Sequence, residues 1–244
     1  MHLFIYPLNV LDYPVTEFLN RFAQKSYLVD MLNSGFEGEP LLKGGVVVAF
    51  VWWAWFRRSS RQDRDRAYLI AGVVASALAI VFARLLALSL PFRVRPRFTP
   101  ELHFLTPFGS DDYTLLNWSS FPSDHAALFF ALATAIFLVS RRAGLICFTY
   151  VAVFICVPRI YLGTHFLSDL LVGGLIGIAA TATLSKERIR TALARTPLRW
   201  IRETPGRFYS IAYLFSFLIT TNYDVARKTG SVLLHALHAI HHAT

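Results

Sequence analysis

The segment from Pro158 to Asp169 reads Pro-Arg-Ile-Tyr-Leu-Gly-Thr-His-Phe-Leu-Ser-Asp and lies between two long apolar runs. An arginine, a histidine and a carboxylate in that setting ask for a chemical reason. Gly163 can close one helix and Thr164 can cap the next, which puts His165 in a first helical turn with Asp169 one turn further along the same face. A carboxylate so placed can orient an imidazole. The free amides and positive dipole end of such a helix attract anions, and Arg159, six residues before His165, adds a permanent charge. These residue types at this spacing point to a phosphate bound beside an activated histidine.

A second stretch repeats the logic. In Phe121-Pro122-Ser123-Asp124-His125 the proline disfavours helix before it, Ser123 can serve as an N-cap, and His125 falls in the first turn that follows. Two helix N-termini, each carrying a histidine, suit a division of roles between a nucleophile and a general acid. Ser123 reads as a cap and not as a nucleophile, because nothing around it resembles a serine-hydrolase arrangement. Arg93, Arg95 and Arg97 form a further basic cluster upstream.

Membrane helices are the elements that must hold these groups. Of 244 residues, 55 % are hydrophobic and only 16 % charged, with mean hydropathy +0.47, which does not describe an ordinary soluble globule. The fold class expected is an all-α polytopic membrane bundle. Leu41 to Phe56 is short but strongly apolar, ends in Trp52, Trp53 and Trp55, and is followed by Arg57, Arg58, Arg61, Arg64 and Arg66. Tyr68 to Leu90 can cross a hydrocarbon core of roughly 30 Å at about 1.5 Å per residue. Its outer third holds Arg84, open either to pairing and snorkelling or to a part in function. His125 to Ser140, Gly144 to Val157 and Phe166 to Leu184 complete five spans. Phe208 to Thr221 is either an interfacial helix or a short sixth span.

Arginine-rich loops after the first, third and fifth spans mark the cytoplasmic side, and the N-terminus falls outside. The expected organisation is an external or interfacial amphipathic segment over 1–40, a membrane catalytic bundle over 41–184 and a basic cytoplasmic or interfacial segment over 185–244. Met1 to Asn9 lacks a basic region ahead of an apolar stretch, so no cleavable secretion signal is expected and the first span does the targeting. The net charge of +9 flanks apolar runs, which points to lipid and away from nucleic acid. Cys147 and Cys156 fall on opposite sides of one helix, out of reach of a disulfide. The tail histidines His235, His238, His241 and His242 lack a carboxylate or cysteine to complete a metal site, and Asp111-Asp112 reads as a turn. Sidedness was assigned without chemistry, yet Arg93 to Arg97, Pro122 to His125, Arg159 and His165 to Asp169 all fall on the outer face. Basic residues held there against the usual bias are better explained by a bound anion than by topology.

The motifs resemble the type 2 phosphatidic acid phosphatase (PAP2) superfamily, membrane phosphatases related to acid phosphatases and vanadium haloperoxidases. Arg95-Pro96 is similar to the end of that family's first motif (Lys, six residues, Arg-Pro). Pro122-Ser123-Asp124-His125 is similar to its Pro-Ser-Gly-His. Arg159, His165 and Asp169 keep both spacings of the third (Ser-Arg, five residues, His, three residues, Asp). The similarity runs from about Arg84 to Gly177. Three departures stand out: Leu88 occupies the family lysine position, leaving Arg84, Arg93 or Arg97 as its replacement; Pro158 replaces a serine; and Asp124 replaces a glycine, so its carboxylate must point away from the phosphate or be neutralised by an arginine.

The resemblance implies a membrane lipid phosphatase with no metal or other cofactor. His165 would be the nucleophile, Asp169 its orienting partner and His125 the general acid, with Arg95, Ser123, the Asp124 amide and Arg159 on the phosphate. The Pro-Ser-Asp-His form resembles bacterial undecaprenyl diphosphate phosphatases, which implies an inner-membrane enzyme with its site on the periplasmic or extracellular side. Phosphatidate, phosphatidylglycerol phosphate or lipid A phosphatase, lipid phosphotransferase, and an inactive anionic-lipid binder are the alternatives. A transporter is disfavoured because the charges lie at span ends, and a haloperoxidase because it would not explain the membrane embedding.

Overall fold

The computed structural model describes residues 6–110 and 115–223 of the chain. Asp111, Asp112 and the tail histidines His235, His238, His241 and His242 lie outside the described residues. Those described form helices and loops without a strand.

The longest helix, α4 (Gln62–Ser89), opens with Asp63 and Asp65 at its positive dipole end. It and α8 (Leu167–Leu184) clasp α5 (Asp124–Val139). Small residues make the clasp tight. A Cβ on Gly173 would stand 2.2 Å from the Ser123 carbonyl oxygen, and one on Gly177 2.2 Å from that of Ala127, so this Gly-x-x-x-Gly stripe lets two backbones meet directly. One turn on, Thr181 Oγ1 donates to the Ala131 carbonyl at 3.0 Å. Gly72 of α4 is pressed as closely against Ala135 on the other side of α5. Because backbones touch, the N-termini of α5 and α8 are held side by side, and the Ser123 amide donates to the Asp169 carbonyl at 3.0 Å.

Helix α6 (Arg141–Tyr150) continues through a widened turn, Val151–Cys156, into α7 (Val157–Tyr161), so that Arg141–Tyr161 forms one rod. Pro158, which has no N–H to donate, directly follows this widened turn as the second residue of α7. Among the described residues, three helices are long and apolar enough to cross a membrane: Gln62–Ser89, Arg141–Tyr161 and Leu167–Leu184. The other two expected spans, Leu41–Phe56 and Asp124–Val139, are apolar but shorter. The first of these is a π-type turn, Leu41–Gly45, followed by α3 (Val46–Phe56). The result is a membrane helical bundle.

After α9 (Glu187–Glu203), helix α10 (Pro205–Thr220) returns along α3. Phe208 stacks on Trp55 with ring centroids 5.1 Å apart, and Thr220 backbone abuts Gly44. Helix α10 therefore runs along the length of that element. Both cysteines are free and buried.

The N-terminal part turns a few polar groups inward. Helices α1 (Tyr6–Asn20) and α2 (Tyr27–Gly38) bury Asp12, Thr16 and Asp30 while Val10, Leu11, Phe18 and Phe22 are exposed. In water that would be inverted; against lipid tails it is the favourable orientation. Asp30 accepts from the Gln24 amide at 3.0 Å, from the Phe108 amide at 3.1 Å and from the Tyr161 hydroxyl, fastening this layer to α7 and the loop after α4. The sequence reading of 1–40 as an external or interfacial segment did not foresee these buried carboxylates.

Candidate active site

Three loops converge at the end of the bundle where α4 stops and α5 and α8 start. The Ser120 amide donates to the Arg93 carbonyl, and the Arg97 amide to that of Gly163, each at 3.0 Å. Gly163 has φ +67, a left-handed conformation suited to glycine, and a Cβ there would strike Phe104 and Arg97. Arg95 laces the same loops through its side chain: Nη1 donates to the Thr164 carbonyl at 2.5 Å and Nε to that of Trp118 at 3.2 Å.

His165 is not in a helical turn. Thr164 does not cap α8, because its hydroxyl and amide and the His165 amide all turn back to the Arg159 carbonyl. The cap position is Phe166, with Asp169 in the first turn accepting from the Phe166 amide at 2.8 Å. His165 thus precedes the helix, its ring fixed by Nδ1 at 2.9 Å from the Ser120 carbonyl and 3.6 Å from Asp169 Oδ2. A carbonyl can only accept, so Nδ1 carries the proton and Nε2 keeps its lone pair. Burial lowers the His165 pKa, more than Asp169 raises it, which keeps the ring neutral near pH 7. Arg95 Nη1 lies 3.5 Å from Nε2. Burial lowers its pKa to about 10, still well above neutral, so the guanidinium remains charged.

On α5, Ser123 is the N-cap and its hydroxyl accepts from the Ala126 amide at 3.4 Å. His125 lies in the first turn. Asp124 Oδ1 is 3.0 Å from His125 Nδ1 and accepts the His125 amide at 2.9 Å, while Oδ2 is ion-paired to Arg84. The Asp124 carboxylate is therefore neutralised by an arginine.

Arg159 is 1 % exposed. Nη1 donates to the Ile155 carbonyl at 2.5 Å, Nη2 has no partner, and no ion pair is made to it among the described residues. A buried guanidinium without a counter-charge is unfavourable by several kcal/mol, and an arriving anion would relieve it. Among the three arginines considered for the absent lysine, Arg84 joins Asp124 and lies 4.7 Å over the Trp118 ring. Arg93 is bound between Asp12 and Asp169, and Arg97 is engaged by the Leu162 carbonyl. Leu88 itself points outward, 84 % exposed.

Two residues of this site were missed from sequence. Ser120 supplies the carbonyl that fixes His165, and its own buried hydroxyl has no partner among the described residues. Asp12 buttresses Arg93 from α1. Neither stands in a motif; a carboxylate within an otherwise apolar stretch was the only hint of Asp12.

Residues 89–188 match the family model of the PAP2 superfamily. Over these residues the chain is similar to that superfamily. It is also similar to the bacitracin transport permease protein BcrC of Bacillus licheniformis, 29 % identical over 120 residues, 49 % of this chain and 55 % of that protein. The chain thus spans about half the length of this curated relative. No solved structure matches it. The matched residues include both histidines, Arg93, Arg95, Arg97, Ser123, Asp124, Arg159 and Asp169, but neither Asp12 nor Arg84.

Proposed function

We propose that this protein is an integral membrane lipid phosphatase that removes a terminal phosphate through a phosphohistidine on His165. The buried Arg159 with a free Nη2 and no counter-ion carries this reading, since a site that keeps an uncompensated cation beside a neutral imidazole is complementary to a phosphate. The lone pair on His165 Nε2 attacks phosphorus, the P–O bond to the lipid breaks, and His125 gives its proton to the departing oxygen. Arg159, Arg95, Ser123 and the Asp124 amide hold the phosphoryl oxygens, where positioning and charge stabilisation supply most of the catalysis. Water, deprotonated by His125, then attacks the phosphohistidine, releasing inorganic phosphate and restoring both rings. No metal or other cofactor is invoked. Arg84, near Arg95 and the end of the same helix as Leu88, stands in for the absent lysine.

The proposed substrate is undecaprenyl diphosphate, converted to the monophosphate with its tail in the bilayer and its head group at the outer face of a bacterial inner membrane. The relative's name speaks of transport, but the charged groups collect at one end of the helices around two histidines, which suits hydrolysis better than passage. Phosphate release in detergent from undecaprenyl diphosphate, phosphatidate, phosphatidylglycerol phosphate and lipid A is the test. Fastest release from the first is expected. Equal rates would leave only the broad class, transfer to an added acceptor lipid in place of phosphate release would make it a phosphotransferase, and no release from any would overturn the reading.

A further inference from the structure

Asp12 lies outside the residues matched to the family, on a helix that none of the motifs implies, yet it is fully buried against the candidate site. Its Oδ2 accepts from Arg93 Nη2 at 2.5 Å and from Ser168 Oγ at 2.6 Å, and its Oδ1 from the Ser168 amide at 2.8 Å. Arg93 gives its other nitrogen, Nη1, to Asp169 Oδ1 at 2.5 Å and to Ser168 Oγ at 2.7 Å. Asp169 in turn faces His165. This path from α1 to the imidazole runs through side chains at most 7 % exposed. Phe166, the residue between His165 and α8, is clasped by the same pair of elements, with Tyr13 of α1 stacked on it at 6.0 Å and the Arg93 guanidinium 4.3 Å from its ring centre.

The charges have a direction. Two carboxylates share one guanidinium, so the cluster of Asp12, Arg93 and Asp169 carries one net negative charge while His165 is neutral. A ring that attacks phosphorus becomes positively charged, and a buried negative cluster stabilises that state more than the resting one. Without Asp12 the guanidinium would face Asp169 alone and cancel it.

We infer that Asp12 is a positioning residue of the phosphoryl-transfer site, one that fixes Arg93 and the first turn of α8 and supplies the charge that lets Asp169 support His165. The inference rests on His165 as the nucleophile. The N-terminal helix is then part of the catalytic apparatus, although it touches no substrate.

The experiment compares the full chain in detergent with Asp12→Asn and Asp12→Glu, using undecaprenyl diphosphate and phosphatidate as probes. Asp12→Asn lowers kcat about 100-fold and leaves KM within about threefold, and Asp12→Glu recovers kcat to within about tenfold of wild type. Val10→Ala, on the exposed side of the same helix, leaves kcat unchanged. A second measurement needs no turnover: titration of His165 by NMR with labelled histidine, the signal assigned by its loss in His165→Gln. His165 is faced by Asp169 on α8, Arg95 after α4 and Asp124 on α5, and by Asp12 through Arg93. In Asp12→Asn its midpoint falls by about one pH unit. Should Asp12→Asn not fold, Asp12→Ser, which leaves room for a water between Arg93 and Ser168, carries the same expectations. A folded variant with wild-type kcat, or a kcat loss with an unmoved titration and no recovery in Asp12→Glu, overturns the inference. If the wild type releases phosphate from neither lipid, nor from phosphatidylglycerol phosphate or lipid A, the phosphatase reading fails, and the titration alone then upholds or overturns the positioning role.

Discussion

The site contains two histidine, carboxylate and arginine units that share residue types but differ in setting. In the first, His125, Asp124 and Arg84 have side chains 19 %, 7 % and 29 % exposed. In the second, His165, Asp169 and Arg93 are 7 %, 0 % and 5 % exposed. His165 is also tied to a carbonyl, and Arg93 has a second carboxylate behind it. A nucleophile must meet phosphorus along one line, so a rigid dry mount suits it. A general acid must follow a leaving oxygen attached to a lipid, so a more open unit suits that task. The difference in burial, more than the shared residue types, separates the two proposed roles.

Removing each ring tests this separation most strongly. His165→Ala should lose activity by about 10⁴-fold or more on every substrate, with no acid-labile phosphoenzyme in rapid-quench assays. His125→Ala should slow phosphoenzyme formation about 10² to 10³-fold from a lipid phosphate monoester such as phosphatidate but less than about tenfold from an aryl phosphate, whose leaving group needs no proton. Equal losses on both substrates would erase the distinction. The arginines come next. Arg93→Gln leaves two buried carboxylates without a counter-charge and should lower stability by about 3 to 5 kcal/mol. Arg84→Gln, at a partly exposed pair, should lower it by about 1 kcal/mol. Thermal unfolding in detergent reads both.

A pH series sharpens the same contrast. Burial depresses the His165 pKa, while in the unfolded chain the ring titrates near about 6.5. Below that value the unfolded state binds the proton more readily, so stability falls as pH drops from about 6.5 toward the folded-state pKa, and nothing is lost above it. Activity needs the neutral ring, so the acid limb of kcat/KM should lie below about pH 6.5. In His165→Gln the acid-side loss of stability should shrink. Melting curves from pH 7.5 to 5, with and without that substitution, check the sign.

Much of this was legible in the chain. Helix existence followed from apolar length, and the three motifs meet because their residue types answered one chemical need. What sequence did not disclose was contact between distant segments. The reading of Thr164 as a cap failed because its hydroxyl turned back to Arg159, so α8 starts two residues later and the Ser120 carbonyl does the orienting given to Asp169 alone. Gly173 and Gly177 have backbone oxygens 2.2 Å from where a side chain would stand, an approach between helices that the apolar pattern of neither helix reveals. Asp12 had no periodicity or motif to mark it, since its partner lies 81 residues away.

The smallest expected effect concerns Asp124, where this chain departs from the family glycine. Asp124→Gly removes the acceptor from His125 Nδ1 and the partner from Arg84 at once, and the two losses pull in opposite directions. Without its carboxylate the His125 ring is less well held for proton transfer, and kcat should fall about fivefold, chiefly on substrates with poor leaving groups. Arg84, released next to Arg95, gains freedom to meet a phosphate, so inhibition by inorganic phosphate should tighten about threefold. Double substitution with Arg84→Gln should abolish the second change and leave the first. Product-inhibition curves on the three variants separate them. If inhibition does not tighten, Arg84 serves only to neutralise Asp124, and the more open unit holds no second grip on the phosphate.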